Sequence, residues 1–189
     1  MNRLLPSLAL ALAGLAAAPF ASATVLSFDD ISSDDFVAAN YGGLDWSHGD
    51  WFAFSGEQAP FTPHSGDVRV ASGFGDADAA TATAIGLGQG MTFQGAWFSG
   101  YEDVAVTFKL YDHGALVATS STLSTSATPA WLASGYAGLV DQVVVSSADQ
   151  GGFVMDDLSF SAAVPEPGSA ALLAGGLLAL AAVARRRRA

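Results

Sequence analysis

Cysteine is absent from this sequence, and positive charge is nearly absent between its two ends. The first absence excludes disulfide staples and any Cys–His nucleophile, so stability must come from a packed core. The second is sharper. Arg3 lies near the N-terminus and Arg185, Arg186, Arg187 and Arg188 close the chain. Between residues 24 and 164 only Arg69 and Lys109 face 17 acidic residues, a formal charge of −15. Such a surface repels phosphate backbones and anionic headgroups, which excludes nucleic-acid binding and peripheral lipid binding. Catalytic signatures are missing too: there is no H-E-x-x-H and no G-x-S-x-G, and His48, His64 and His113 stand isolated beside turn residues.

Long apolar runs are confined to the ends. The N-terminal MNRLLPSLALALAGLAAAPFASA has Arg3 as its charged start, an apolar run from Leu8 to Ala18, and small residues at Ala21-Ser22-Ala23. This is the pattern of a secretory signal helix, residues 1–23, cleaved by signal peptidase after Ala23. The run is short for a permanent anchor, which is the alternative.

The other end reads VPEPGSAALLAGGLLALAAVARRRRA, with no charge from Gly168 to Ala184. As a helix that stretch would be roughly 25 Å long, a marginal membrane span. The arginines after it belong on the cytoplasmic side, leaving the preceding domain outside. Pro165-Glu166-Pro167, an Ala/Leu/Gly-rich apolar segment and a terminal arginine cluster, in that order, resemble the PEP-CTERM sorting signal. The resemblance covers residues 164–189. It implies recognition by exosortase, a membrane protease related in logic to transpeptidases, and removal of the tail near the motif. It also implies an inner-membrane precursor and a mature form in the envelope, on the surface or outside the cell. A permanent single-pass anchor is the alternative.

Residues 24–163 are the length of one ordinary domain. They are a series of short β-rich runs cut by Gly, Asp, Ser and Pro. VAVTFKLY is the clearest: Val104, Val106, Phe108 and Leu110 take one face, and Ala105, Thr107, Lys109 and Tyr111 the other. Asp112-His113-Gly114 then turns into LVATSSTL as a hairpin. Gly86-Leu87-Gly88-Gln89-Gly90 reads as another turn, since it lacks the helix and spacing of a phosphate loop. The expectation is all-β: a single antiparallel β-sandwich, jelly roll-like, flanked by the signal helix and the transmembrane sorting helix. LSFDDI at its start, YGGLDWS and FVMDDLSF at its end are similar to the β-sandwich domains of PEP-CTERM proteins, and more distantly to jelly-roll carbohydrate-binding and galactose-binding-like modules.

Two Asp-Asp pairs are the main polar candidates. In LSFDDI, Leu26, Phe28 and Asp30 share strand parity; in FVMDDLSF, Val154, Asp156, Leu158 and Phe160 do. One carboxylate of each pair then falls on an apolar face and needs a partner. If first and last strands are neighbours, as that resemblance implies, Asp29, Asp30, Asp156 and Asp157 meet and could hold a structural Ca²⁺. The alternative is that they accept backbone N–H groups at turns. Gly73 to Asp78 is a second acidic loop, without the EF-hand pattern. Tyr41, Trp46, Trp51 and Tyr101 lie near turns and are candidate sugar platforms, whereas Trp97 sits in an apolar run and is assigned to the core. The functional expectation is a non-catalytic exopolysaccharide-associated or carbohydrate-binding module. A secreted polysaccharide hydrolase, needing only two of many carboxylates, and a purely structural surface protein are the rivals.

Overall fold

The computed structural model describes residues 22–32, 34–72 and 82–162, together with positions 176, 185 and 186. Residues 1–21 of the proposed leader, the Gly73–Asp78 loop, Pro165-Glu166-Pro167, Arg187 and Arg188 lie outside the described residues, whereas Ser22 and Ala23, the leader's last two residues, are described and Ala23 opens the first strand. Gly176, Arg185 and Arg186 are helical and exposed. Among the described residues no helix is long and apolar enough to cross a membrane.

Eleven antiparallel strands make the described domain: β1 (Ala23–Leu26), β2 (Asp35–Phe36), β3 (Phe52–Phe54), β4 (Arg69–Ala71), β5 (Ala82–Gly100), β6 (Ala105–Asp112), β7 (Ala115–Thr119), β8 (Leu123–Ser124), β9 (Ala130–Ala133), β10 (Leu139–Ser147) and β11 (Phe153–Ala162). Their order is β2-β3-β4-β11-β5-β10-β6-β7, with β1 on β11, β8 on β6 and β9 on β5. The all-β, antiparallel architecture expected from the strand pattern is the one observed.

The hinge of the arrangement is β5. Its first part pairs with β10, its second with β11 and β9. Between Gly86 and Met91 the partner strand advances only from Gln142 to Val140, so β5 carries surplus residues there. Gly88 (φ 66°) and Gly90 (φ 83°) take left-handed conformations that a side chain would oppose. The glycine run is thus a bulge inside a strand, not the turn its composition suggested. It bends the sheet so that its two halves pack face to face.

Phe108 of β6 meets Phe93 (4.8 Å) and Phe98 (5.6 Å) of β5 in the layer between. Val106, Phe108 and Leu110 are fully buried, as their alternation requires, and each contributes about 2 kcal/mol by leaving water. The β6–β7 hairpin turns on His113 and Gly114, both left-handed, where the Asp-His-Gly signal placed it.

Candidate functional site

The site grows from a reversal of side-chain direction within β11. Phe153 and Met155 face the main core; Val154 faces the opposite side, with Phe54 and Ala71. After Asp157 the parity inverts, and Leu158 and Phe160 join the main core. Asp157 has φ 46°, and the ladder to β5 slips by one residue between Asp156 and Ser159. The single parity read across Val154, Asp156, Leu158 and Phe160 is corrected accordingly: the left-handed Asp157 is a bulge residue, and it leaves both aspartates on the outer face.

A strap covers that face, the loop running from Ser55 to Val68. Its backbone is held by carboxylates. His64 and Ser65 donate their N–H groups to Asp156 Oδ2 at 2.7 and 2.9 Å, while Asp157 N–H donates to Asp156 Oδ1 at 2.7 Å. His64 Nδ1 meets Asp157 Oδ2 at 2.5 Å and Ser65 Oγ donates to Asp157 Oδ1 at 2.9 Å. Farther along, Asp67 and Val68 donate their N–H groups to Asp29 Oδ1 at 2.9 and 3.1 Å. Asp156 is only 2% exposed. Burial drives its pKa up to about 6; the charge of Asp157 adds to the rise, and the backbone N–H groups of Ser65, Asp157 and His64 oppose it.

Arg69, equally buried, lies beneath the strap with its guanidinium carbon 4.2 Å from the Phe54 ring centre. Its Nη1 donates to the Asp67 carbonyl at 3.0 Å. Amide N–H donors, the Ser65 hydroxyl and the His64 imidazole hold the aspartates that meet the strap.

β1 does pair with β11, from Ala23↔Ser161 to Leu26↔Leu158, so the first and last strands are neighbours. The four aspartates nevertheless serve different protein donors. Asp29 accepts strap amides, Asp30 accepts the Tyr41 hydroxyl, and Asp156 and Asp157 hold His64 and Ser65. Among the described residues the group that brings three potential ligand atoms within 4.8 Å of one another is Asp112, His113 and Asp141, at the β6–β7 turn.

The strap also assembles an aromatic strip. On β5, Ala96 and Phe98 point into the core, whereas Trp97, Ser99 and then Tyr101 take the outer side. Trp131 of β9 stands opposite Trp97 in the ladder, with ring centres 5.9 Å apart. His64 stacks on Trp97 at 3.6 Å and 11°. Ser99 Oγ donates to the Thr62 carbonyl at 2.6 Å, which brings the strap across the strand between Trp97 and Tyr101. Phe61 on the far side packs edge-on against Tyr101 at 5.3 Å. Trp131 is 38% and Tyr101 55% exposed. Beside the strip lies a cleft of about 260 Å³ lined by Phe61, Thr62 and Pro63 and by the polar Glu57, Gln58 and Asp67.

Of the four aromatic residues proposed from sequence as sugar platforms, only Tyr101 belongs to this strip. Trp46 and Trp51 are each 1% exposed and pack edge-to-face at 6.0 Å. They close the core under the segment after β2, so neither offers a ring face to a ligand. Tyr41 is part-buried, stacks on Phe28 at 5.6 Å and is tied to Asp30, with burial foremost in raising its phenol pKa. Trp97, assigned to the core, is part-exposed instead. Trp131, His64 and Phe61 were not foreseen. The available signal was the parity of Trp97, Ser99 and Tyr101, opposite to Ala96 and Phe98.

Two solved structures similar to this chain are an aspartate-to-alanine and a tyrosine-to-alanine variant of CBM29-2, a family 29 carbohydrate binding module. Identities are 15% and 16%, the TM-score is 0.39 for each, and the alignments cover 75% of this chain and 92% and 93% of theirs. No curated protein sequence matches the chain. Residues 163–188 match the PEP-CTERM protein-sorting motif. The chain therefore carries a PEP-CTERM sorting signal, which implies an exported, membrane-anchored precursor and processing by exosortase.

Proposed function

We propose that the domain is a non-catalytic carbohydrate-binding module, displayed outside the cell after removal of residues 1–23 and of the sorting tail, where it associates with exopolysaccharide. The observation that carries this reading is Trp131, 38% exposed on β9 and packed against the part-exposed Trp97 of β5 on the outer face. Flat rings stack on the apolar face of a pyranose, and Glu57, Gln58 and Asp67, which line the cleft at Phe61, offer polar partners for hydroxyls. A binding role is favoured over hydrolysis because, among the described residues, the carboxyl whose pKa is strongly raised, Asp156, is buried and has both oxygens engaged by protein N–H groups.

The test is a glycan array followed by calorimetric titration of the hits, with Trp131→Ala as the control. Binding that weakens about tenfold in the variant, at unchanged thermal stability, is expected. Full binding by the variant would remove this face from consideration. Release of reducing sugar by the wild-type protein would favour the hydrolase instead.

A further inference from the structure

We propose that the β6–β7 turn holds a zinc-like divalent cation, bound by Asp112, His113 and Asp141. These residues lie toward the other end of the strand order from the strap, so the proposal stands apart from any sugar site. The β6–β10 ladder closes with Gln142 opposite Tyr111, and one step farther out come Asp141 on β10 and Asp112 on β6. Two carboxylates so placed repel each other across the strand pair. Among the described residues neither has a Lys or Arg partner. His113 follows at the turn, and one potential ligand atom from each of the three residues falls within 4.8 Å of the other two. A cation among them turns that repulsion into attraction.

The neighbouring strand leaves room for it. Gly88 and Gly90 of the β5 bulge, together with Leu139, join the three side chains in lining a cavity of about 260 Å³. A Cβ built at Gly88 would meet no atom within 4 Å, so the bulge borders open space there. Such a volume admits an ion and the waters that complete its shell.

The donor set selects the ion. Two carboxylates and an imidazole suit zinc and its neighbours, which take N and O ligands at about 2.0 to 2.2 Å. Calcium asks for about six to eight oxygens and gains little from an imidazole. The hydrogen bonds at the turn leave ligand capacity. Asp141 Oδ2 accepts the His113 N–H at 2.8 Å, and Asp112 Oδ1 meets His113 Nδ1 at 2.8 Å. Each carboxylate keeps its other oxygen and the imidazole keeps Nε2. The backbone bond sets His113 beside Asp141 in advance of any metal, and the imidazole, 90% exposed, can turn without breaking a packed contact.

The experiment titrates the full-length, untagged, detergent-solubilised protein, first stripped of metal, with Zn²⁺ by calorimetry and follows its thermal midpoint. One equivalent should bind. His113→Ala should weaken binding about tenfold or more, whereas His48→Ala, at the separate Asp45–His48 pair, should bind as wild type does. Without metal, Asp141→Asn should melt no lower than wild type, because the repulsion is relieved and the amide oxygen can still accept the His113 N–H. Zinc should then raise the wild-type midpoint by several degrees and leave that of Asp141→Asn nearly unchanged. No isotherm for zinc, equal binding by wild type and His113→Ala, or an equal zinc response in Asp141→Asn would each overturn the proposal. A response to calcium in place of zinc would do the same. Every one of these outcomes leaves the carbohydrate reading where it stood.

Discussion

The imidazole of His64 lies flat on the indole of Trp97, 3.6 Å away and tilted by 11°, while its Nδ1 is held by the carboxylate of Asp157. One side chain thus fixes the strap to the sheet in two directions, by stacking along the face normal and by a charge-assisted bond into the β11 bulge.

Replacing His64 by alanine leaves Asp157, mostly buried, with the Ser65 hydroxyl as its remaining side-chain donor, and it uncovers Trp97. A loss of about 2 kcal/mol in urea unfolding is expected. His64→Asn can still donate to Asp157 but cannot stack, so it should recover part of the stability while Trp97 fluorescence remains shifted. Equal stability of wild type and His64→Ala would show that the strap is held without this residue.

The Asp156 carboxyl titrates near 6 in the folded protein against an ordinary 3.8. The native state therefore binds this proton more tightly than the unfolded chain does. Its contribution to stability is fully present below about pH 4 and is lost as the pH rises to 6, a change of roughly 2 to 3 kcal/mol. Asp156→Asn should remove that part of the slope when urea midpoints are compared with wild type from pH 4 to 8. A variant with the wild-type pH profile would assign the dependence to other groups.

Gly95 sits under Trp131 with φ 147°. A Cβ there would lie 2.2 Å from the Leu132 carbonyl oxygen and 2.8 Å from the Trp131 ring. Gly95→Ala is expected to cost about 2 kcal/mol or more and to move Trp131. A thermal midpoint and an emission maximum identical to wild type would contradict this placement.

Calcium is expected to leave the melting temperature unchanged relative to chelator. Each oxygen of Asp156 and Asp157 already has a protein partner, and Asp29 and Asp30 are engaged separately. A rise of several degrees with millimolar Ca²⁺ would instead support a metal at Asp29, Asp30, Asp156 and Asp157, or at Asp112, His113 and Asp141 of the hairpin turn.

Local periodicity carried the strands that it could carry. Val104 to Tyr111 and the Asp-His-Gly turn were legible because alternation and a left-handed turn are properties of a few adjacent residues. The sorting signal was legible for the same reason, being a linear pattern. Parity failed where the backbone breaks it: nothing in FVMDDLSF distinguishes an aspartate that continues a strand from one that bulges it, and Gly86 to Gly90 has the composition of a turn. The aromatic strip was hidden for a different reason. Trp97 and Trp131 are 34 positions apart, and His64 reaches the same place from another loop. Proximity to turns pointed to Trp46 and Trp51, but exposure is decided by which strands pair, and those two tryptophans fall under the N-terminal segment.

The rung joining Ala23 to Ser161 brings the polypeptide's point of arrival in the sheet alongside its point of departure. A short linker bridging these neighbours would close the backbone into a ring without distorting it, and new termini could then be opened at the His113–Gly114 turn. The same geometry puts the two described ends of the domain, at Ala23 and Ser161, at a single corner of the sandwich.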